Sequence, residues 1–170
     1  MMILDDTTLD KQVVLKNVEE HIKSLGFTIV QKDFNRPWGG FLVIEEAEAE
    51  KFASVFFPHL AFSTIKTGKL SPKILIVEAN KRLSWQYHHR RAEIWKVIGG
   101  KVGVVTSDTD EQGEIQQLSV DDVIQLSQGQ RHRLVGLNQW GVLAEIWQHT
   151  NPEQPSDEDD IVRVQDDFGR

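Results

Sequence analysis

Four side chains of metal-binding types lie in two separate stretches of the sequence. Gln86, His88 and Glu93 fall within eight positions, and His132 follows after a long interval. Two imidazole nitrogens with an amide and a carboxylate oxygen suit a divalent transition metal better than calcium or magnesium. If the two stretches are neighbouring strands of a barrel, the four side chains can converge on one ion.

The spacing of the first three residues predicts a break in the chain between them. Alternate residues of a strand face the same side, so Gln86 and His88 point together whereas Glu93 has the opposite parity. We expect a turn or bulge at residues 90–92, followed by a second strand over residues 93–98. The predicted arrangement is a hairpin that carries the metal donors around its bend.

Length and composition are those of one soluble globular domain. The chain has 170 residues, of which 39% are hydrophobic and 26% are charged. It has no cysteine, which excludes disulfides, thiolate metal sites and a cysteine nucleophile. No apolar run approaches the roughly 18 residues that a membrane span needs. The acidic N-terminus lacks the basic region of a signal peptide, so we expect a cytoplasmic protein without membrane partners.

The net charge restricts the class of partner. At −7 it argues against nucleic-acid binding, which depends on a basic surface. A small phosphorylated substrate remains compatible with this charge. It needs only a local cluster of arginine or lysine side chains, which an acidic protein can supply.

Hydrophobic periodicity divides the chain into three zones. Apolar residues recur at helical spacing over Thr8–Leu25, and a second helix is predicted at Glu46–Phe57. Short β-prone runs follow closely from Lys73 to Ile146, which is typical of a sandwich or barrel. We expect a single domain with a helix-containing extension at 1–70, a barrel core at 71–150 and a tail at 151–170.

The predicted strands are separated by turn signals such as Gly99–Gly100. The N-terminal zone contributes Phe27–Val30 and Phe41–Ile44, and the tail contributes an edge strand at Asp159–Arg163. The strands of the barrel zone are Ile74–Val77, Leu83–Tyr87, Glu93–Ile98, Lys101–Thr106, Glu114–Leu118, Val123–Leu126, His132–Val135 and Val142–Ile146.

The residues around the four candidate ligands resemble the two motifs of the cupin superfamily. The first motif, G-x5-H-x-H-x3–4-E-x6-G, is matched in spacing from Gln86 to Gly100, with Gln in place of the first His. The second motif retains Gly129 and His132. The resemblance implies an all-β double-stranded β-helix, or jelly-roll barrel, with a small helical N-terminal addition.

A closer resemblance is to the isomerase domain of type II mannose-6-phosphate isomerases. That family carries R-P-W-G, S-L-Q-x-H-x-H-R-A-E-H-W, G-x-x-H and a tail similar to E-D-D-I-V-R-x-x-D-x-Y-G-R. The chain differs at Arg90, where the family has its second His, and at Ile94, where another His is usual. The matching segments are Arg36–Gly39, Ser84–Trp95, Gly129–His132 and Glu158–Arg170.

This resemblance implies a metal-dependent isomerase that interconverts mannose 6-phosphate and fructose 6-phosphate. It implies zinc on the four candidate ligands, while related cupins hold manganese, iron or nickel. The hexose phosphate would be bound by Lys73, Arg163 and Arg170, with Arg90 adding positive charge near the site. Lys73 and Arg163 are the expected catalytic residues, since they would position the carbon chain. Cupin barrels commonly pair, so a homodimer is compatible with the resemblance.

Several points stay open at the level of sequence. Either Lys73 or a carboxylate such as Glu145 could be the general base. A different cupin enzyme, such as a sugar epimerase or an iron oxygenase, and a non-catalytic sugar-binding module are the alternative functions. The run Glu158–Asp160 is interpreted as an acidic surface, Arg36 is given a structural role and His149 is given none.

Overall fold

A computed structural model describes residues 10–65 and 68–170, in which a β-barrel carries helices on one outer face. The helices are α1 (Lys11–Ser24), α2 (Ala49–Phe56) and α3 (Phe62–Ile65), with a 3-10 turn at Glu46–Glu48 before α2. The strands are β1 (Ile29–Arg36), β2 (Gly39–Ile44), β3 (Lys73–Val77), β4 (Trp85–Tyr87), β5 (Arg91–Ser107), β6 (Gln116–Ser119), β7 (Val123–Leu126), β8 (Arg131–His149) and β9 (Val162–Gln165).

The helix predicted at Thr8–Leu25 is confirmed as α1, although Thr8 and Leu9 lie outside the described residues. Its first turn is capped because the carboxylate of Asp10 accepts a hydrogen bond from the backbone N–H of Gln12 at 2.9 Å. The second predicted helix is confirmed as the 3-10 turn and α2. Within the described ranges, none of these helices has the length and apolar character to cross a bilayer.

Two hydrophobic cores lie on opposite faces of the same strands. Side chains alternate along a strand, so one set faces the helices and the other faces the barrel interior. The helix-facing core includes Val14, Leu15, Val18 and Ile22 of α1, Phe52 and Phe56 of α2, and Leu42, Ile74, Ile76, Ile94, Val142 and Ala144 of the sheet. The interior core includes Trp38, Phe41, Leu75, Trp95, Val97, Val102, Val104, Leu126, Leu134 and Leu143.

The two long strands β5 and β8 organise the barrel. They pair antiparallel from Arg91 opposite His149 to Ser107 opposite Arg131. On its other side β8 pairs with β3 near its C-terminal end and with β4 near its N-terminal end. The path of paired strands is β1-β2-β3-β8-β4-β9, which leaves β9 at an edge. The edge strand predicted at Asp159–Arg163 is therefore present, but it begins three residues later, at Val162.

The predicted turn at Gly99–Gly100 is wrong, because β5 continues through it with an irregular register. Gly100 has φ +64°, and a Cβ at this position would overlap the carbonyl oxygen of Trp140. The bulge reverses the parity of the inward-facing side chains, from Val97 before it to Val102 after it. The predicted strands on either side therefore form one strand, and the last two predicted barrel strands likewise merge into β8.

The predicted hairpin of β4 and β5 is also wrong. β4 pairs with β8 and β9, whereas β5 pairs with β6, β7 and β8, so the two strands do not pair with each other. The break between them lies at residues 88–90 and reverses the side-chain parity, as expected from the spacing of His88 and Glu93. The candidate ligands therefore reach the interior from strands that are joined through β8.

We expect Gly100→Ala to destabilise the protein more than Gly129→Ala. Both glycines have positive φ, +64° and +77°, but no atom of the described residues lies within 4 Å of a Cβ built at Gly129. The backbone conformation alone costs about 1–2 kcal/mol for an L-residue, and the overlap at Gly100 adds the cost of overpacking, about 1–3 kcal/mol. Urea denaturation measures the free energy of unfolding of both variants. An equal loss of this free energy in the two would show that the bulge at Gly100 is not tightly packed.

Candidate metal centre

Three of the four predicted ligands meet inside the barrel. His88 follows β4, Glu93 lies in β5 and His132 lies in β8, and each is at most 3% exposed. One ligating atom from each residue lies within 4.8 Å of the other two. Two imidazoles and a carboxylate at this spacing form a possible site for a divalent metal, with room for open coordination positions.

Hydrogen bonds set the tautomer of both imidazoles. Nδ1 of His88 lies 2.7 Å from the carbonyl oxygen of Asp160, and Nδ1 of His132 lies 3.1 Å from that of Gln130. A carbonyl oxygen can only accept, so in the neutral rings Nδ1 carries the proton and Nε2 keeps a lone pair. Both Nε2 atoms lie near the carboxylate of Glu93, at 3.2 and 3.6 Å.

The imidazole of His132 fits a metal ligand by its surroundings. Burial lowers the pKa of His132 to about 4, although the charge of Glu93 opposes this shift, so the ring is neutral at neutral pH. Its Nε2 is buried and has no hydrogen-bond partner among the described residues. A buried acceptor without a partner is costly, and a cation at the centre of the site would satisfy it.

The carboxylate of Glu93 is held in its charged form. Burial alone would raise the pKa of Glu93, but the neighbouring His88 and Arg91 hold it well below its ordinary value. Nε of Arg91 and Nε1 of Trp95 each donate a hydrogen bond to it at 3.0 Å. An ionised oxygen ligand is therefore present beside the two imidazole nitrogens.

Gln86 lies beside the three clustered residues. It is the cross-strand partner of His132, and its Nε2 is 3.4 Å from Nε2 of His88. Its Oε1 accepts a hydrogen bond from the hydroxyl of Ser84 at 2.5 Å. A 180° rotation of the planar amide would exchange the two atoms and turn the oxygen toward the histidines, so Gln86 remains a proposed fourth ligand.

Glu93 and His132, together with Gln86, border a cavity of about 90 Å³ whose wall is rich in basic side chains. Three of the four basic residues predicted from sequence line it, whereas Arg90 does not. The chain bends at residues 89–90, and the guanidinium of Arg90 lies 3.5 Å from Asp157 instead. The basic residues of the wall are Arg36, Lys73, Arg91, Arg163 and Arg170.

These cations differ in how far they are already neutralised. Nζ of Lys73 donates to Glu158 at 2.6 Å, and the guanidinium of Arg170 pairs with Asp166 at 2.8 Å. The side chain of Arg163 makes no hydrogen bond or ion pair with any other residue that the structure describes. Arg163 is thus the cation of the wall with the most capacity to bind an added anion.

Arg91 is a site residue that the sequence analysis missed. Its Nη2 lies 3.3 Å from Nε2 of His88, and its guanidinium stacks 3.6 Å from the ring centre of Trp147. Residues 90–92 were expected to form a turn, whereas Arg91 is the first residue of β5. It stands two positions before Glu93, so strand parity is the signal that could have placed it on the inner face. Arg36, expected to be structural, also lines the cavity.

Glu145 supplies a second carboxyl group to the cavity. It stands between Lys73 of β3 and Trp95 of β5 in the paired strands, and Nε1 of Trp147 donates to it at 2.8 Å. Burial and the nearby charge of Glu93 raise the pKa of Glu145 to about 8, with Lys73 opposing the shift. Without a bound cation, this group carries a proton at neutral pH.

The interpretation of the acidic run as a solvated surface is wrong for Asp160, which is only 4% exposed. Burial alone would raise the pKa of Asp160, but hydrogen bonds from Ser156, His89 and Arg90 lower it to about 2. Glu158, in the same run, pairs with Lys73. The tail is therefore part of the wall around the candidate site.

Comparison with known proteins decides the family. The model of the family described as "Mannose-6-phosphate isomerase C-terminal" matches residues 45–166. The chain belongs to this family. The match includes all four candidate ligands and strands β3 to β9.

Named relatives are longer proteins. Xanthan biosynthesis protein XanB of Xanthomonas campestris pv. campestris is 31% identical over 125 residues, which are 73% of this chain and 25% of that protein. Mannose-1-phosphate guanylyltransferase ManC of Salmonella typhimurium is 28% identical over 159 residues, 92% of this chain and 27% of that protein. The chain spans about a quarter of the length of these relatives.

Solved structures support the fold. Oxalate decarboxylase of Lactobacillus farciminis superposes with a TM-score of 0.54 at 14% identity, over 78% of this chain and 33% of that chain. At this identity the likeness concerns the fold alone. Together with the strand topology, it confirms the all-β cupin barrel that the two sequence motifs predicted.

We expect the protein to bind about one divalent transition metal per chain, because one set of three buried donors converges. His132→Ala should abolish this stoichiometric binding, whereas His89→Ala should not, since His89 is exposed and contacts the outward-facing Tyr87. Elemental analysis of stripped and reloaded protein measures the content. Zinc at about 100 times its Kd should also stabilise the wild type by roughly 2.7 kcal/mol. Equal metal content in the two variants would place the ion elsewhere.

Proposed function

We propose that the protein is a metal-dependent isomerase that interconverts mannose 6-phosphate and fructose 6-phosphate. One observation carries this proposal: Glu93 and His132 of the buried His-His-Glu donor set line a cavity whose wall is rich in basic side chains. The donors suit a metal that binds sugar oxygens, and the basic wall suits a phosphate. Membership of the mannose-6-phosphate isomerase C-terminal family supports the choice of sugar.

The proposed metal ligands are His88, Glu93 and His132, with Gln86 as the fourth. Zinc is the proposed ion, and manganese, iron or nickel would suit the same mixed nitrogen and oxygen donors. A bound divalent metal would orient the sugar hydroxyl and carbonyl oxygens and stabilise negative charge that develops on them.

The proposed phosphate site is formed by Arg163 and Arg170, with Lys73 in the wall of the same cavity. The guanidinium of Arg163, which no described residue engages, can donate two parallel hydrogen bonds to a phosphate. Lys73 and Arg170 already hold the carboxylates of Glu158 and Asp166, which an incoming phosphate must displace or share. Fixing the phosphate would align C1 and C2 of the sugar with the groups that transfer the proton.

Glu145 is the proposed acid–base residue of the reaction. It lines the same cavity as the metal donors and is not among them. A cation bound to the neighbouring donors would draw its pKa down from about 8 toward neutrality. A carboxyl with a pKa near the working pH can take the proton from C2 and return it to C1. Lys73, the other candidate base, is engaged by Glu158.

The direct test is turnover of mannose 6-phosphate by zinc-loaded protein, followed by a coupled assay for fructose 6-phosphate. We expect Arg163→Ala to raise KM by at least about tenfold, since a hydrogen-bonded charge contributes about 1.5–3 kcal/mol. Arg131→Ala is the matched control, because Arg131 pairs with Asp110 and does not line the cavity. Stabilisation by mannose 6-phosphate without turnover would instead identify a sugar-phosphate-binding module.

The role of Glu145 predicts a pH dependence. The carboxylate is the basic form, so kcat/KM of the zinc-loaded enzyme should rise with pH through a limb that lies below the metal-free pKa of about 8. Glu145→Gln keeps an acceptor for Nε1 of Trp147 and should lower kcat by about 100-fold or more, the usual range for a general base. It should also remove the limb while metal content stays unchanged. A variant that keeps both its rate and the limb would rule Glu145 out as the base.

A further inference from the structure

The buried carboxylate of Asp160 connects the C-terminal segment to the bend between β4 and β5. Its two oxygens accept hydrogen bonds from the backbone N–H groups of His89 and Arg90, both at 2.9 Å. A third bond comes from the hydroxyl of Ser156 at 2.6 Å. Hydrogen bonds to an ionised acceptor are about twice as strong as neutral ones, so this carboxylate holds the bend firmly.

The same residue also holds the imidazole of His88. The carbonyl oxygen of Asp160 accepts the Nδ1 proton of this ring at 2.7 Å. The ring and the peptide that follows it are thus bound at two points by one residue, which stands 72 positions further along the chain. Such a pair of contacts restricts both the tautomer of the ring and the direction of its Nε2 lone pair.

Residues 156–160, here called the acidic strap, are anchored at their other end as well. The backbone N–H of Ser156 donates to Nδ1 of His149 at 2.8 Å, and its hydroxyl accepts from Nη1 of Arg91 at 2.8 Å. The first bond assigns the proton of the neutral His149 ring to Nε2, which faces the hydroxyl of Ser71 at 3.3 Å. Because its Nε2 carries the proton, His149 cannot act as a base toward the hydroxyl of Ser71. The hydrogen bond from Ser156 to His149 is the one that anchors the acidic strap.

We propose that Asp160 is a positioning residue for the metal ligand His88, and that the acidic strap is thereby part of the site for the divalent transition metal. This inference rests on the metal site of the proposed function but not on its isomerase activity. The carboxylate fixes the bend that carries His88, and the backbone carbonyl fixes the ring. Removing the carboxylate should release the strap and loosen the ring without removing any metal donor.

The matched pair of variants is Asp160→Ala and Asp159→Ala. Asp159 is the exposed neighbour in the same acidic run, and its side chain makes no hydrogen bond or ion pair with any described residue. Metal-free protein is titrated with zinc against a chelating dye, and the thermal stability of the metal-free form is measured separately. We expect the zinc Kd to rise by about 10–100-fold in Asp160→Ala, the range for groups that orient a ligand, and to stay within about twofold of the wild type in Asp159→Ala.

Ring nitrogen chemical shifts of His88 provide a readout that a general loss of stability would not change. In 15N-labelled metal-free wild type, the ring should be the Nδ1–H tautomer, whereas Asp160→Ala should show a mixture of tautomers. Milder variants cover the case in which Asp160→Ala does not fold. Ser156→Ala removes one of the three donors to the carboxylate, and Asp160→Asn removes its charge, so both should weaken zinc binding by a smaller factor.

The outcomes separate this inference from the proposed function. A wild type that binds zinc but does not isomerise the sugar would overturn the isomerase and leave the role of Asp160 supported by the titration. Folded Asp160 and Ser156 variants that bind zinc as tightly as the wild type would overturn the positioning role alone. A wild type that takes up no divalent transition metal would overturn the positioning role together with the metal site.

Discussion

An ionised carboxylate inside a hydrophobic barrel is the constraint around which this structure is arranged. Taking a charge such as that of Glu93 out of water costs several kcal/mol unless partners compensate for it. The compensation comes from Arg91 and Trp95, which each donate a hydrogen bond to the carboxylate. The group remains charged as a result, and it lies where a metal cation would complete the set.

The cations near Glu93 have further partners of their own. Arg91 is held in turn by Ser156 and by the stacking face of Trp147. Lys73 is the cross-strand partner of Glu145 and forms an ion pair with the more exposed side chain of Glu158. A protein with a net charge of −7 therefore builds a locally basic cavity, because its cations are gathered on the inner wall.

The two long strands decide which side chains reach this cavity. The bulge at Gly100 lets β5 change the parity of its inward-facing residues, so Glu93 and Trp95 face inward on one side of it and Val102 and Val104 on the other. The same sheet buries its other face under α1 and α2. The bulge at Gly100 thus helps to place the site residues. In a strand without it, the side chains on one side of Gly100 would face outward.

The sequence by itself determined the residue types of the donor set, the break in parity between His88 and Glu93, the helices α1 and α2, and the class of the fold. These features depend on composition, spacing and short-range periodicity, which are local properties of the chain. Tertiary structure alone decided that β4 and β5 do not pair, that Arg90 lies outside the cavity wall, and that Asp160 is buried against His88. Each of these depends on contacts between residues far apart in sequence, because register, burial and charge pairing are set only when distant strands come together.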